Sequence, residues 1–474
     1  MPTTIIEGGT IVTDTARFRA DVIISGERIS GIMSDARGIL ADERIDATGL
    51  LVLPGGIDAR TNFREPDEFT KEGFASGGAG AAAGGITTVV EMPQADPTTV
   101  TPEQFRAKRD RVRRAAIVDM ALWGGIVGEP RQDADMVRDM AVAGAAGFTS
   151  YMAASVPDFP AIDTDKLLWA MRVVAETGLP YSLHAEDDVL LSAGLRRTQG
   201  AGRKDPVAHA ESRPPVVEAV AVAVALYLAE ATGCWVHISH CASAEALRLI
   251  ADARARGVRV TVDTCPHYLA LTTDDLVERK GFARCAPSLR DEEEVEAIWP
   301  YVLDETVDTI CSDHCGLTAE SKAAGDEDIF RAPLGVAGVQ TLLPVFYDAA
   351  VHQRGMDETQ FVRQISTNPA RIFGLYPRKG TIAIGADADL VLFDPNRSWT
   401  VRGEDMLHKQ KWTPFEGKTI RGRVVRTLRR GETIYDASRD GAAQVPAAPG
   451  SGRFLPYGYG EREESVATLS ELRF

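Results

Sequence analysis

The stretch Pro54-Gly55-Gly56-Ile57-Asp58-Ala59-Arg60-Thr61-Asn62-Phe63-Arg64-Glu65-Pro66 decides how this chain is read. An apolar strand spanning Leu51 to Asp58 runs into it, and Arg60 and Asn62 stand at the strand's C-terminal end. Further apolar runs follow near 86–92, 117–123, 147–152, 181–184, 234–237, 258–263 and 308–311, with helical patterns between them. Thr101-Pro102 opens one helix with a cap and a proline at its first position. Pro215–Ala231 and Ser243–Arg256 are two more, ended by Gly233 and Gly257. About eight strand–helix units in succession predict a closed (β/α)8 TIM barrel in the α/β class. A doubly wound sheet would also alternate, but no Gly-x-Gly-x-x-Gly follows the first strand. The glycine- and alanine-rich run 77–85 is expected to be a helix lying close on the barrel.

Outside the barrel the pattern changes to short strands and glycine turns. Ile5-Ile6, Ile11-Val12, Val22-Ile23-Ile24 and Arg28-Ile29 flank Gly8-Gly9 and Ser25-Gly26. The same pattern returns at Ala388–Phe393, Gly422–Val425 and Gly431–Ile434. The expected organisation is a β-sandwich built from both chain ends (1–53 and 377–441), the barrel at 54–376, and a Gly/Pro-rich tail at 442–474. That tail is expected to pack on a neighbouring subunit or to stay solvated.

Of the 474 residues 44% are hydrophobic and 25% charged, an ordinary globular composition. The net charge of -16 argues against nucleic acid and anionic membranes, which demand basic patches. It leaves room for a small anionic substrate held by local arginines. The six cysteines form no close CxxC pair, so reduced thiols in a cytoplasmic protein are expected. No apolar run is read as a membrane span.

In such a barrel the chemistry sits at the C-terminal strand ends. In order these carry Arg60 and Asn62, Glu91, Thr149, His184, His237, His267 and Asp313. Two histidines and an aspartate at strand ends suit zinc or a related divalent ion.

Several stretches along nearly the whole chain resemble the cyclic amidohydrolases, that is allantoinases, dihydroorotases and hydantoinases or dihydropyrimidinases. They include Gly84–Pro93, Leu183-His184-Ala185-Glu186, Val236-His237-Ile238-Ser239, Thr264–Leu269, Cys311-Ser312-Asp313-His314, Ser366–Ala370, Gly380-Thr381-Ile382, Gly385–Leu390 and Trp412–Gly417. Asp119–Gly125 and Arg284-Cys285-Ala286-Pro287 are more similar to allantoinases. The resemblance implies a hydrolase that opens a cyclic amide or ureide ring, and a homodimer or homotetramer. It also implies two metals, held by Asp-x-His-x-His on the first strand, a carboxylated lysine on the fourth, and His184, His237 and Asp313. Here Arg60 and Asn62 replace the first two histidines, and Thr149 falls where the lysine should be.

At most one divalent metal, zinc or a relative, is therefore expected on His184, His237 and Asp313, or none. By analogy with a related single-metal deacetylase that keeps two histidines and a glutamate, the ligand beside His184 and His237 would be a nearby carboxylate such as Glu91 or Glu129, or water. Asp313 would act as general base, then acid. By the same resemblance Arg64 would hold a substrate carboxylate, unless it pairs with Glu65 or Glu68. Gln94, His267, Ser288 and Gly335 would complete the ligand site. Arg60 is expected to lie near Asp313 and favour its ionised form. Two other functions fit the replaced ligands: a non-catalytic homologue serving as an assembly or binding partner, and altered, metal-independent chemistry in the same barrel.

Overall fold

The computed structural model describes residues 1–65, 72–128, 132–154 and 159–461. Parallel pairing runs through β1 (Gly56–Asn62), β2 (Ile86–Glu91), β3 (Asp119–Gly125), β4 (Gly147–Tyr151), β5 (Tyr181–His184), β6 (Val236–Ile238) and β7 (Val260–Thr264). The eighth barrel strand comes in two pieces, β8 (Thr309–Ile310) beside β7 and β9 (His314–Cys315) beside β1, which together join the two edges. The break between them, residues 311–313, ends in Asp313 with φ of 45°. A non-glycine residue in that region is uncommon and marks a backbone held by its surroundings.

One predicted strand is corrected. Leu51–Asp58 is two strands in two sheets: Leu51–Pro54 pairs with Leu390–Thr400, and the barrel begins only at Gly56. Gly55 makes the change of sheet, and a Cβ there would run into Thr87. The six-stranded sheet has the order 432–436, 419–429, 390–400, 51–54, 10–12, 17–19, so both chain ends contribute to it. A separate four-stranded sheet is made wholly from residues 3–46.

The helices follow their sequence signals. Pro102–Ala115 starts with a capping box between Thr101 and Gln104. Pro215–Thr232 ends at Gly233 with φ of 71°, as a left-handed C-cap requires. Contrary to the expectation, the helical stretch Pro206–Thr232 is long and apolar enough to cross a membrane. Its Val217, Ala221, Val222, Ala225, Leu226 and Ala229 are buried in the core. The glycine-rich run forms helix Gly73–Ala83. A Cβ at Gly77 would strike the Phe63 ring, so the small residue permits close packing on β1.

A buried ionic cluster fastens barrel, sheet domain and tail together. Lys379 Nζ lies 2.7 Å from both Asp119 and Asp389, and Arg430 also donates to Asp119. The described part of the tail lies along its own barrel: Met120 N donates to Arg453 O, and Leu455 N to Met120 O, both at 2.8 Å. All six cysteines are buried and unpaired by disulfides.

Candidate active site

A small pocket opens at the C-terminal end of the barrel, lined by Asn62, Arg64, Tyr151, His184, His240, Ala286, Asp313, Cys315, Leu334 and Gly335. Of the residues expected from sequence, Asp313, His184, Arg64, Gly335 and Asn62 meet here. His237, Gln94, His267 and Ser288 are not in its lining. Gln94 Nε2 bonds the Tyr151 hydroxyl behind the wall. The His267 Nε2, Ser288 Oγ and Gln94 Oε1 atoms are buried without a hydrogen-bond partner.

Asp313 is placed by its neighbours on the broken strand. Ser312 N donates to Asp58 at 3.0 Å, and its hydroxyl does so too. On the other side His314 Nε2 meets Glu72 at 2.8 Å, while its Nδ1 accepts from the backbone N–H groups of Gly338 and Val339. Burial drives the Asp313 carboxyl up from 3.8 to about 7, although the Arg60 charge pulls the other way. The sequence expectation that Arg60 would favour ionised Asp313 has the direction of that one influence right and the net result wrong. Desolvation outweighs the ion pair, and the nearby Asp263 and Asp58 charges add to it.

The two histidines do not converge with Asp313. His184 Nε2 lies 2.9 Å from Glu186 and its Nδ1 lies 2.9 Å from His240 Nε2. Burial raises the Glu186 pKa, but Arg213 and His184 outweigh it and hold the carboxyl at about 2. An ionised Glu186 can only accept, which fixes the tautomers: His184 donates from Nε2 and receives at Nδ1 from His240. The His240 Nδ1 lone pair is then left buried and without a partner. His237 is occupied in the same way, donating from Nε2 to Asp263 at 2.7 Å and accepting from the Thr261 hydroxyl at 2.8 Å. Among the described residues no three His, Cys, Asp or Glu side chains form a group able to hold a metal. The expected His184–His237–Asp313 ligand set is thus corrected: its imidazole lone pairs are directed at protein neighbours.

The other proposed donors fare no better. Glu91 is fully buried and accepts from the Thr61 hydroxyl and from the backbone N–H groups of Phe63 and Arg64. Glu129 and Glu68 lie outside the described residues. Thr149 sits level with Ser182 on β5, its hydroxyl buried without a partner.

Arg60 fills the interior instead. It is 1% exposed, and its Nη2 donates to Ser182 at 2.8 Å and also to Ser239. Burial opposes its charge, but Asp313 and Asp263 outweigh that cost and raise its pKa. A divalent ion about 4 Å from such a guanidinium would be repelled by roughly 8 kcal/mol at an effective dielectric of 20. The residues of this site do not fit a divalent metal.

Sequence reasoning missed His240, Tyr151 and the Ser182–Ser239 pair. His240 follows His237 by three residues with φ of 40°, and its place beyond the strand end was the one signal available. The pocket wall at Gly335 also has hidden support. Buried Lys322 donates to the carbonyls of Gly335, Pro333 and Arg284 at 2.7–3.0 Å.

Comparison with known proteins agrees with the barrel and its sheet domain. The Amidohydrolase family matches residues 51–434. An allantoinase of Rubrobacter xylanophilus is 43% identical over 453 residues, covering 95% of this chain and 97% of that protein. One from Escherichia coli is 34% identical over 457 residues, covering 95% and 98%. Among solved structures, the L-hydantoinase (dihydropyrimidinase) from Arthrobacter aurescens superposes with a TM-score of 0.92 at 31% identity, covering 96% of this chain and 100% of that one. With its family model matched over most of its length, the chain belongs to the amidohydrolase family.

Proposed function

We infer that the protein hydrolyses a ring C–N bond in a cyclic ureide or amide, with Asp313 handling the water's proton. The observation that carries this reading is the placement of Asp313. Its carboxyl lines the pocket beside His184, His240, Asn62 and Arg64, on a strand break held from both sides, with a pKa of about 7. A group with that pKa is half ionised near neutrality, where a general base works best.

In the reaction, the Asp313 carboxylate accepts a proton from water as its oxygen bonds to the ring carbonyl carbon. The resulting tetrahedral carbon expels the ring nitrogen, which takes the proton from the Asp313 carboxyl. One water is consumed: its OH becomes part of a new carboxyl group and its hydrogen ends on nitrogen. Allantoin is the first substrate to test, because the relatives at 43% and 34% identity are allantoinases. Arg64 at the pocket wall suits a ring that carries or gains a carboxylate. Homodimer or homotetramer assembly remains part of this reading, to be tested by sedimentation.

A non-catalytic homologue used for binding or assembly has one observation in its favour, the buried Arg60 between Ser182 and Ser239. The two readings separate in one experiment on purified protein with allantoin, dihydroorotate, hydantoin and dihydrouracil. Ring opening of at least one is expected. Thermal stabilisation without turnover would favour the binding protein.

A further inference from the structure

We propose that this chain's site is built to work without a metal, and that the Arg60 guanidinium is the group that keeps one out. The inference rests on the ring-opening reading for its activity test but stands on separate geometry. Arg60 reaches across the barrel interior from β1 to the hydroxyls of Ser182 on β5 and Ser239 at the end of β6. Those two strands also carry His184 and His237, and each serine is two residues from the histidine of its own strand. Side chains two apart on a strand share a face. The cation therefore occupies the face on which the two imidazoles would have to meet over an ion.

Three further observations point the same way. The Ser182 and Ser239 hydroxyls also bond each other at 2.5 Å, so the guanidinium is clamped rather than loosely inserted. Each imidazole has its accepting nitrogen committed to a protein donor, His240 for His184 and Thr261 for His237. Turning either ring toward an ion would break its bond to Glu186 or Asp263, both buried carboxylates. On β4 the Thr149 hydroxyl offers a neutral oxygen at the level of Ser182, where no side-chain nitrogen is present. The fixed positive charge of this site is thus organic and covalently tethered. It balances Asp313 and Asp263, the anions that an ion would otherwise neutralise.

The test begins with the full-length native chain, expressed in zinc-supplemented medium and assayed by elemental analysis for zinc, manganese, iron and cobalt. Well under one ion per chain is expected. Ligand-induced thermal stabilisation, and turnover where it occurs, are expected to be unchanged by a strong chelator. One or more ions per native chain, lost in His184→Ala, would overturn the proposal. So would turnover that stops with chelator and returns with zinc, a result that would leave the hydrolase reading intact. Absence of turnover on every ring tested, with no ion bound, would instead sink the hydrolase reading and leave this one. The triple variant Arg60→His, Asn62→His, Thr149→Lys, checked for folding by circular dichroism, is expected to gain zinc. A folded triple variant that takes up none would overturn Arg60's role as the excluding group. If the variant does not fold, the native chain's ion content and chelator response decide the matter alone.

Discussion

Asp313→Asn makes the desolvated charge of this half-buried carboxyl measurable as stability. In the folded chain the Asp313 pKa lies at about 7, raised from 3.8 chiefly by burial. A carboxylate whose pKa rises on folding is penalised when ionised. The penalty is absent below about pH 4, grows as pH rises toward 7, and is constant above that. At 1.36 kcal/mol per pH unit the full cost is about 4 kcal/mol, of which about 3 kcal/mol accrues between pH 5 and pH 8. Asparagine carries no charge and, like aspartate, tolerates the positive φ of this position. Urea unfolding of parent and variant, with chelator present, should therefore show the variant's advantage growing by about 3 kcal/mol from pH 5 to pH 8. An advantage equal at both pH values, or one that shrinks as pH rises, would refute the claim that desolvation outweighs Arg60.

Three other outcomes are expected. Lys379→Met should cost about 3–5 kcal/mol, because it leaves Asp119 and Asp389 buried without their shared cation; a loss under about 1 kcal/mol in chemical denaturation would contradict that. Deleting the chain from Ala442 removes Leu455, which is fully buried, and the backbone bonds to Met120. It should lower the melting temperature, and sedimentation of the same protein tests the tail's expected part in assembly. An unchanged melting temperature would mean the tail contributes nothing to its own barrel. A bound cyclic ureide at 100 times its Kd should add about 2.7 kcal/mol of stability, and Arg64→Ala should weaken carboxylated ligands more than neutral ones; an equal effect on both would remove Arg64 from carboxylate binding.

Much of this architecture was legible from periodicity. The strands and helices that make the barrel announce themselves by apolar runs, caps and terminal glycines. The split at Gly55 was signalled by Pro54-Gly55-Gly56, turn chemistry inside the run that was read through as one strand, Leu51–Asp58. The second piece of the eighth strand was hidden because the apolar run at 308–311 stops before it, and the two residues His314-Cys315 carry no strand pattern of their own. At the site, the replacement of ligands by Arg60, Asn62 and Thr149 was visible from residue type. What each histidine does instead was not, because Glu186, Thr261 and Asp263 become their partners only through the fold. The sign of the Asp313 shift failed for a physical reason. Pairing with Arg60 can be guessed from strand order, whereas the degree of burial that outweighs it cannot.

The most direct test of the central claim is a steady-state assay of ring opening on allantoin and the related rings between pH 5 and pH 9. Turnover of at least one ring is predicted, rising with pH through about 7 as Asp313 ionises. Asp313→Asn should lower it by about 100-fold or more, the range expected for loss of a general base. No turnover on any ring, or full activity in Asp313→Asn, would contradict the account.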